Sequence, residues 1–172
     1  MGKKHKKTKE WKRRQKKIKE RKSSKEAIIA SKERLLQEVK RISAQDGHKF
    51  QIDKSNPLKM SEVIIDFAQP LLDAFQTDEE QRKAITMAIA IWNVSLLPDK
   101  DQKNFIREFC NSMQDSASDQ EILDENSQII SYFLERKKIF FPDIKRMILD
   151  YDCVETPQGF HLNVVSNVLK DK

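Results

Sequence analysis

The chain has 172 residues, of which 33 are Lys or Arg, 27 are Asp or Glu and 38% are apolar. One domain of this size buries about two-thirds of its unfolded surface, so it needs neither disulfides nor a metal for stability. The 2 cysteines, 3 glycines and 5 prolines exclude a disulfide scaffold, a collagen-like repeat and a disordered chain rich in Gly and Pro. The composition indicates a soluble, mainly α-helical protein.

The formal net charge of +6 is the sum of two parts with opposite signs. Residues 1–25 contain 14 Lys and Arg against 2 Glu, whereas residues 26–172 contain 19 basic and 25 acidic residues. The first part, called the basic arm below, therefore carries +12 and the remainder carries −6. We expect two regions, the basic arm over 1–25 and a single helical domain over 26–172.

The basic arm has too few apolar side chains to bury a face, yet its residue types favour helix. Its only apolar residues are Met1, Trp11 and Ile18. Because neither Pro nor Gly occurs between Lys3 and Gln45, the arm is predicted as either a disordered segment or an extended helix. Ser23 and Glu26 have the spacing of a capping box, so a new helix could begin there. One continuous helix through both segments is the alternative.

A seven-residue apolar repeat follows the basic arm. Ile28, Leu35 and Ile42 recur at this spacing, which predicts an amphipathic helix over about residues 24–46 that ends near Gly47. A helix of this length gains most of its stability from packing, so this seam must cover either the chain's own domain or a partner. The short segment after the helix favours packing on its own domain.

The second predicted helix runs from Met60 to about Phe75 with apolar residues at the helical period. Pro70 lies inside it and predicts a kink or a break, because its ring removes one backbone hydrogen bond. Two later helices are predicted beyond Pro98. The fourth has Asp99 or Asp101 as its cap, and the fifth begins at Ser118.

The third predicted helix covers about residues 78–97. Thr77 and Glu80 form a capping-box sequence at its start. From Ala84 to Trp92 it is apolar nearly all round, so we expect it at the centre of the core. The polar residues near its end, expected to form buried hydrogen bonds, are Asn93 and Ser95.

The apolar period changes from 3.6 to 2 beyond Pro142, which predicts a β-hairpin over about residues 145–167. Its turn is Thr156-Pro157-Gln158-Gly159, where Gly159 can adopt positive φ as a bulge residue. Matching the apolar faces sets Cys153 opposite Leu162 and Tyr151 opposite Val164. The predicted fold is therefore mainly α (α+β), a bundle of four to six amphipathic helices with a C-terminal β-hairpin.

The basic arm is the one strong functional signal in the sequence. Dense Lys and Arg residues bind nucleic-acid phosphates, because each neutralised phosphate releases a condensed counterion. The expected nucleic-acid-binding residues are Lys3, Lys4, Lys6, Lys7, Lys9, Trp11, Lys12, Arg13, Arg14, Lys16, Lys17, Lys19, Arg21 and Lys22. No base-reading motif accompanies them, so binding should follow the backbone, with RNA slightly favoured over DNA. A solvated tail and contact with an anionic membrane are the alternatives.

Catalytic and metal chemistry find little support in the sequence. The three histidines, His5, His48 and His161, and the two cysteines have no zinc-ligand spacing, and three glycines cannot form a phosphate-binding loop. We predict no catalytic residue, no cofactor and no metal site. Two acidic groups could hold Mg²⁺, but a solvated acidic face is favoured for both. They are Glu121 with Asp124 and Glu125 on a helix, and Asp150 with Asp152 on a strand.

The alternative function is a helical protein-interaction or assembly module whose basic tail keeps it soluble. Its partner would cover the Ile28, Leu35 and Ile42 seam or add to an edge of the hairpin. A small enzyme that depends on the carboxylates is a third hypothesis. The longest apolar run, Ala84 to Trp92, is too short to cross a membrane, so we expect a cytoplasmic protein, and a membrane is the least favoured partner of the arm.

Overall fold

The computed structural model describes the backbone of residues 2–45, 58–114, 120–157 and 159–169 and the side chains of residues 10, 12–42, 44, 58–109, 126–157 and 159–169. The described residues form five helices and one two-stranded sheet. The elements are α1 (Gly2–Gln45), α2 (Met60–Leu72), α3 (Asp78–Val94), α4 (Asp99–Gln114), α5 (Gln120–Phe140), β1 (Arg146–Thr156) and β2 (Gly159–Val168). The predicted fold class, mainly α with a C-terminal hairpin, is confirmed.

The chain divides into two compact units. Unit 1 comprises Met1–Asn56 and Asp150–Val165, and so contains α1 and the turn end of the hairpin. Unit 2 comprises Pro57–Leu149 and Ser166–Lys172, and so contains α2 to α5 and the open end of the hairpin.

In unit 1, the basic arm and the following amphipathic segment form one continuous helix, α1. The helix start expected at the Ser23 and Glu26 capping box is not formed, because α1 runs through both residues without interruption. The Oγ of the neighbouring Ser24 donates to the carbonyl of Glu20 at 3.0 Å. That bond runs back one helical turn, as it does inside a helix rather than at its start. Of the two alternatives that the sequence left open, the structure has the continuous helix, and the predicted end near Gly47 lies outside the described residues.

The buried side of α1 differs from the predicted seam. Ser31, Leu35 and Val39 are buried, with exposed fractions of 7%, 1% and 5%. Ile28 is half-buried, whereas Ile42 is 42% exposed. The buried row therefore follows a four-residue spacing and includes a serine, which a search for apolar repeats does not detect.

Unit 2 has an aromatic core centred on Phe67. Its ring makes edge-to-face contacts with Trp92 and Phe133, each with a centroid separation of 5.2 Å, and with Phe141 at 5.9 Å. Trp92 lies on α3, which contributes buried residues from Ala84 to Val94. The expectation that this helix lies in the core therefore agrees with the structure.

Pro70 does not break α2, which ends at Leu72 rather than at Phe75. Proline has no N–H to donate to the carbonyl four residues earlier, here that of Asp66. The Arg136 guanidinium on α5 supplies the missing donor: its Nη2 donates to the Asp66 carbonyl at 3.1 Å, and its Nε to the Phe67 carbonyl at 3.3 Å. One distant side chain thus satisfies the carbonyl that the proline leaves without its helical partner.

The capping box predicted for α3 is confirmed. The Glu80 N–H donates to Thr77 Oγ1 at 3.3 Å, and the Thr77 N–H donates to a Glu80 carboxylate oxygen at 3.1 Å. The Thr77 hydroxyl also donates to that carboxylate at 2.7 Å, and this bond together with the bond from the Thr77 N–H lowers the pKa of Glu80. The helix ends at Val94: the Ser95 N–H still bonds four residues back to Ile91, and the N–H groups of Leu96 and Leu97 bond three residues back in a tighter turn before Pro98.

Helix α4 begins at Asp99, and the Pro98 carbonyl accepts its first backbone bonds, so Pro98 holds the cap position that was expected for Asp99 or Asp101. The predicted start of the fifth helix at Ser118 lies outside the described residues. In the hairpin, Gly159 has φ +114°, as its turn position predicted. The Leu169 N–H donates to the Lys145 carbonyl at 3.0 Å, a bond that flanks a pairing of Arg146 with Val168. The predicted pairs of Cys153 with Leu162 and of Tyr151 with Val164 lie nearer the turn and stay predictions.

Candidate nucleic-acid interface

All fourteen of the expected nucleic-acid-binding residues lie on α1. Eight cationic side chains between residues 12 and 22 are described, and every one is exposed: Lys12, Arg13, Arg14, Lys16, Lys17, Lys19, Arg21 and Lys22. The side chains of the others lie outside the described residues, namely Lys3, Lys4, Lys6, Lys7, Lys9 and Trp11. The helix therefore presents a dense row of solvated cations.

Acidic residues one turn away pair with some of these cations. Arg14 lies 3.4 Å from Glu10, and Lys22 lies 4.0 Å from Glu26. Both pairs are more than half exposed, and exposed pairs of this kind contribute little to stability. They support the helix locally and leave the arm strongly cationic.

The eight described cations are spread around the whole circumference of α1. With 3.6 residues per turn, Lys12, Lys16 and Lys19 fall within about 60° of arc, centred about 130° from the direction of Leu35. Arg13, Lys17 and Arg21 fall instead on the same side as Leu35. Lys12, Lys16 and Lys19 are called the outer triad below. Their face of α1 has no buried residue in the part of the helix that contacts the hairpin.

A polar cluster joins α1 to the hairpin within unit 1. Asn163 Nδ2 donates to the Ile28 carbonyl at 3.2 Å and to Ser31 Oγ at 2.8 Å. Arg34 Nη2 lies 2.9 Å from the Asp152 carboxylate. Because Ser31 and Asn163 are buried, these bonds fix the direction in which the helix leaves the hairpin.

The same cluster determines the state of the Asp152 carboxyl. Burial alone would raise its pKa, but hydrogen bonds with Ser31 and Arg34 outweigh that effect and lower it. Asp152 is therefore an ionised partner of an arginine. The second acidic group considered for Mg²⁺ consists of Glu121, Asp124 and Glu125. Its side chains lie outside the described residues.

Asn93 and Ser95 are both hydrogen-bonded, as expected. Asn93 exchanges two bonds with the backbone of Ile148, each 2.8 Å long, and Ser95 Oγ donates to the Trp92 carbonyl. The Trp92 indole N–H donates to the Arg146 carbonyl at 2.7 Å. The end of α3 thus holds the start of β1 through side-chain bonds in unit 2.

Sequence reasoning missed a second basic site in unit 2. Lys137 is 5% exposed, and its Nζ donates to the Phe141 carbonyl at 2.7 Å and lies 4.7 Å from the centroid of the Trp92 ring. It lines a cavity of about 460 Å³ together with Lys138 and Lys145. The adjacent Lys137 and Lys138 gave no distinctive signal in a chain so rich in lysine.

Unit 2 also has an apolar groove of about 310 Å³. Met87 and Ala90 of α3 line it, together with Phe105 and Phe109 of α4 and Ile130 of α5. The two phenylalanine rings stack with centroids 6.0 Å apart. This half-covered apolar surface is the second concave feature of the unit.

Comparison of this chain with family models, curated proteins and solved structures found no match. Among the described residues, no helix is long and apolar enough to cross a membrane. In the same part of the chain, no three His, Cys, Asp or Glu side chains are grouped so that they could hold a metal ion.

Proposed function

We propose that this protein is a non-enzymatic nucleic-acid-associated protein that contacts RNA or DNA phosphates through the basic arm. The observation that supports this proposal is the row of eight exposed cations on residues 12–22 of an uninterrupted helix. Cations held on a helix are spaced at fixed distances, so several can meet phosphates without ordering a loose chain first. We further propose a cytoplasmic location and RNA as the slightly preferred nucleic acid.

The outer triad is the part of the arm best placed for this contact. Lys12 and Lys19 are separated by about 10 Å along the helix axis, and Lys16 lies between them on the same face. The Leu35 side of α1 is covered by the hairpin in the later part of the helix, which includes Ser31 and Leu35. A duplex or single strand can therefore approach the outer triad along an open side of α1.

Salt dependence of binding tests the proposal. The affinity of the full chain for duplex RNA, single-stranded RNA and duplex DNA of equal length should fall steeply with salt, with about 5 to 10 phosphates neutralised. Replacing the outer triad with Gln should lower the logarithmic slope by about 2 to 3, because each phosphate contact contributes about 0.7 to 0.9. Fluorescence anisotropy at several salt concentrations gives both quantities.

A charge-matched variant distinguishes the arm from net charge. Lys100, Lys103 and Arg107 are exposed cations of α4, and their replacement by Gln removes the same +3. This control should leave the slope almost unchanged. Equal effects of the two triple variants, or binding that does not vary with salt, would refute a role for the arm.

A second candidate function is a protein-interaction module, and exposed apolar residues on α1 favour it. Ile18 and Ile29 are 58% and 57% exposed and lie about 20° apart around the helix. A partner helix could cover both, since they are three turns apart on one face. Replacing both with Gln should abolish the complex with the partner helix, as measured by light scattering. The salt dependence of RNA binding should stay unchanged.

A further inference from the structure

The basic cavity of unit 2 is separate in sequence from the arm and has its own charge. Lys137 and Lys138 lie in the last turn of α5, and Lys145 lies in the segment that precedes β1. The other residues that line the cavity are Ser95, Leu96, Pro142 and Leu169. Two parts of the chain thus place three lysine side chains around one cavity whose walls are both polar and apolar.

Lys137 is the unusual member of this group. Burial lowers the pKa of its ammonium, and the charge of Asp143 opposes that effect. Among the described residues, no carboxylate lies within ion-pair distance of its Nζ, which has a carbonyl and an aromatic face as neighbours. Burying a cation without a counter-charge is costly, so this arrangement favours a bound anion.

The last turn of a helix attracts lysines through its negative dipole end, and this accounts for part of the pattern. The bond from Lys137 to the Phe141 carbonyl is such an interaction. The dipole of α5 does not account for Lys145, which lies outside that helix and lines the same cavity.

We propose that this cavity binds the phosphate group of a small ligand. Lysines bind phosphate as point charges, whereas recognition of a carboxylate commonly uses the planar fork of arginine. A volume of about 460 Å³ lies in the range of small-molecule pockets, and Leu96, Pro142 and Leu169 can cover the organic part of the ligand. The site is independent of the basic arm.

Titration of the full chain with inorganic phosphate, AMP and adenosine tests this proposal. At constant ionic strength, phosphate and AMP should shift the backbone amide resonances of Leu96 and Leu169 saturably, and adenosine should not. Lys138→Gln and Lys145→Gln should each weaken AMP binding roughly tenfold, because each removes one charge-assisted hydrogen bond. Both side chains are exposed, so the variants should fold. Lys103→Gln, an exposed lysine of α4, is the matched control and should bind normally.

Three outcomes would overturn the proposal. One is the absence of a saturable shift with phosphate or AMP. Another is equal AMP affinity in Lys145→Gln and Lys103→Gln, which would show adventitious binding. The third is a shift caused by a short oligonucleotide but not by AMP, which would assign the cavity to nucleic acid. Neutralising the outer triad should leave AMP binding unchanged, so failure here is distinguishable from failure of the arm.

Discussion

At the residue scale, Asn93 shows how one side chain can take the place of a neighbouring strand. Its amide donates to the Ile148 carbonyl and accepts from the Ile148 N–H, as a paired residue does in a sheet. Ile148 is buried, so these two backbone groups would otherwise have no partner at this position. A short polar side chain therefore satisfies two backbone groups at the start of β1.

Asn93→Ala should destabilise the protein by about 2 kcal/mol, because it leaves a half-buried N–H and carbonyl of Ile148 without these partners. Asn104→Ala is the control, since Asn104 makes one exposed side-chain bond to Arg107, and it should change stability by less than about 0.5 kcal/mol. Urea unfolding followed by circular dichroism measures both. Equal losses would contradict the role assigned to Asn93.

Asp152 gives a residue-scale prediction about pH. Its pKa is lowered in the folded chain, so its ionised form adds stability above the ordinary carboxyl pKa of about 3.9. That contribution should be lost as pH falls from about 5 through the lower folded value, because protonation breaks the pair with Arg34. A carbon chemical-shift titration of the Asp152 carboxyl should show the lowered pKa. In Arg34→Gln, the pKa should move back towards 3.9, and an unchanged value would contradict the pairing.

At the scale of elements, local sequence signals predicted well where the stabilising contact is itself local. The capping box of Thr77 and Glu80 spans three residues, and both of its bonds form. Pro70 correctly predicts the loss of one backbone hydrogen bond in α2. Whether the helix continues past it depends on Arg136, which is 66 residues further along the chain. No local pattern indicates that arginine, so the sequence could not decide between a helix that continues past the proline and one that breaks there.

The pairing of Pro70 with Arg136 can be measured as a double-mutant cycle. Arg136→Met should cost about 1 to 3 kcal/mol in the natural chain, because the Asp66 carbonyl then loses its donor. In a Pro70→Ala background residue 70 regains an N–H that can serve that carbonyl, so the same change should cost less. Chemical denaturation of the four proteins gives the coupling energy. Strict additivity would show that Arg136 stabilises α2 by some other route.

The candidate sites show the same division between local and distant information. The basic arm was predicted from composition alone, because charge density needs no tertiary contact, whereas the absence of Pro and Gly left both a disordered segment and one continuous helix open. The basic cavity depends on Lys145 meeting the end of α5, and the cluster around Ser31 depends on Asn163, which is 132 residues away. Such contacts follow from packing, so they could not be found in a periodic pattern.

At the scale of the whole molecule, each unit contains its own buried residues, and each can be tested by its own variant. Leu35 is 1% exposed in unit 1, whereas Ile29 on the same helix is 57% exposed. Leu35→Asp should lower the stability of unit 1 by on the order of 3 kcal/mol, since it removes a packed side chain and buries a charge. Ile29→Asp introduces the same charge at an exposed position and should have little effect.

A fluorescence reporter in unit 2 shows whether the two units unfold together. The chain has 2 tryptophans, Trp11 and Trp92, and Trp92 is fully buried in unit 2. In a Trp11→Phe background, Trp92 is therefore the only tryptophan, and its fluorescence reports on unit 2. Leu35→Asp should lower the midpoint of the helical transition seen by circular dichroism and leave the Trp92 transition in place, because the aromatic core around Phe67 contains no residue of α1. A Trp92 midpoint that falls equally would show a single cooperative domain, as the sequence suggested for residues 26–172. If Ile29→Asp is as damaging as Leu35→Asp, the burial assigned to α1 is wrong.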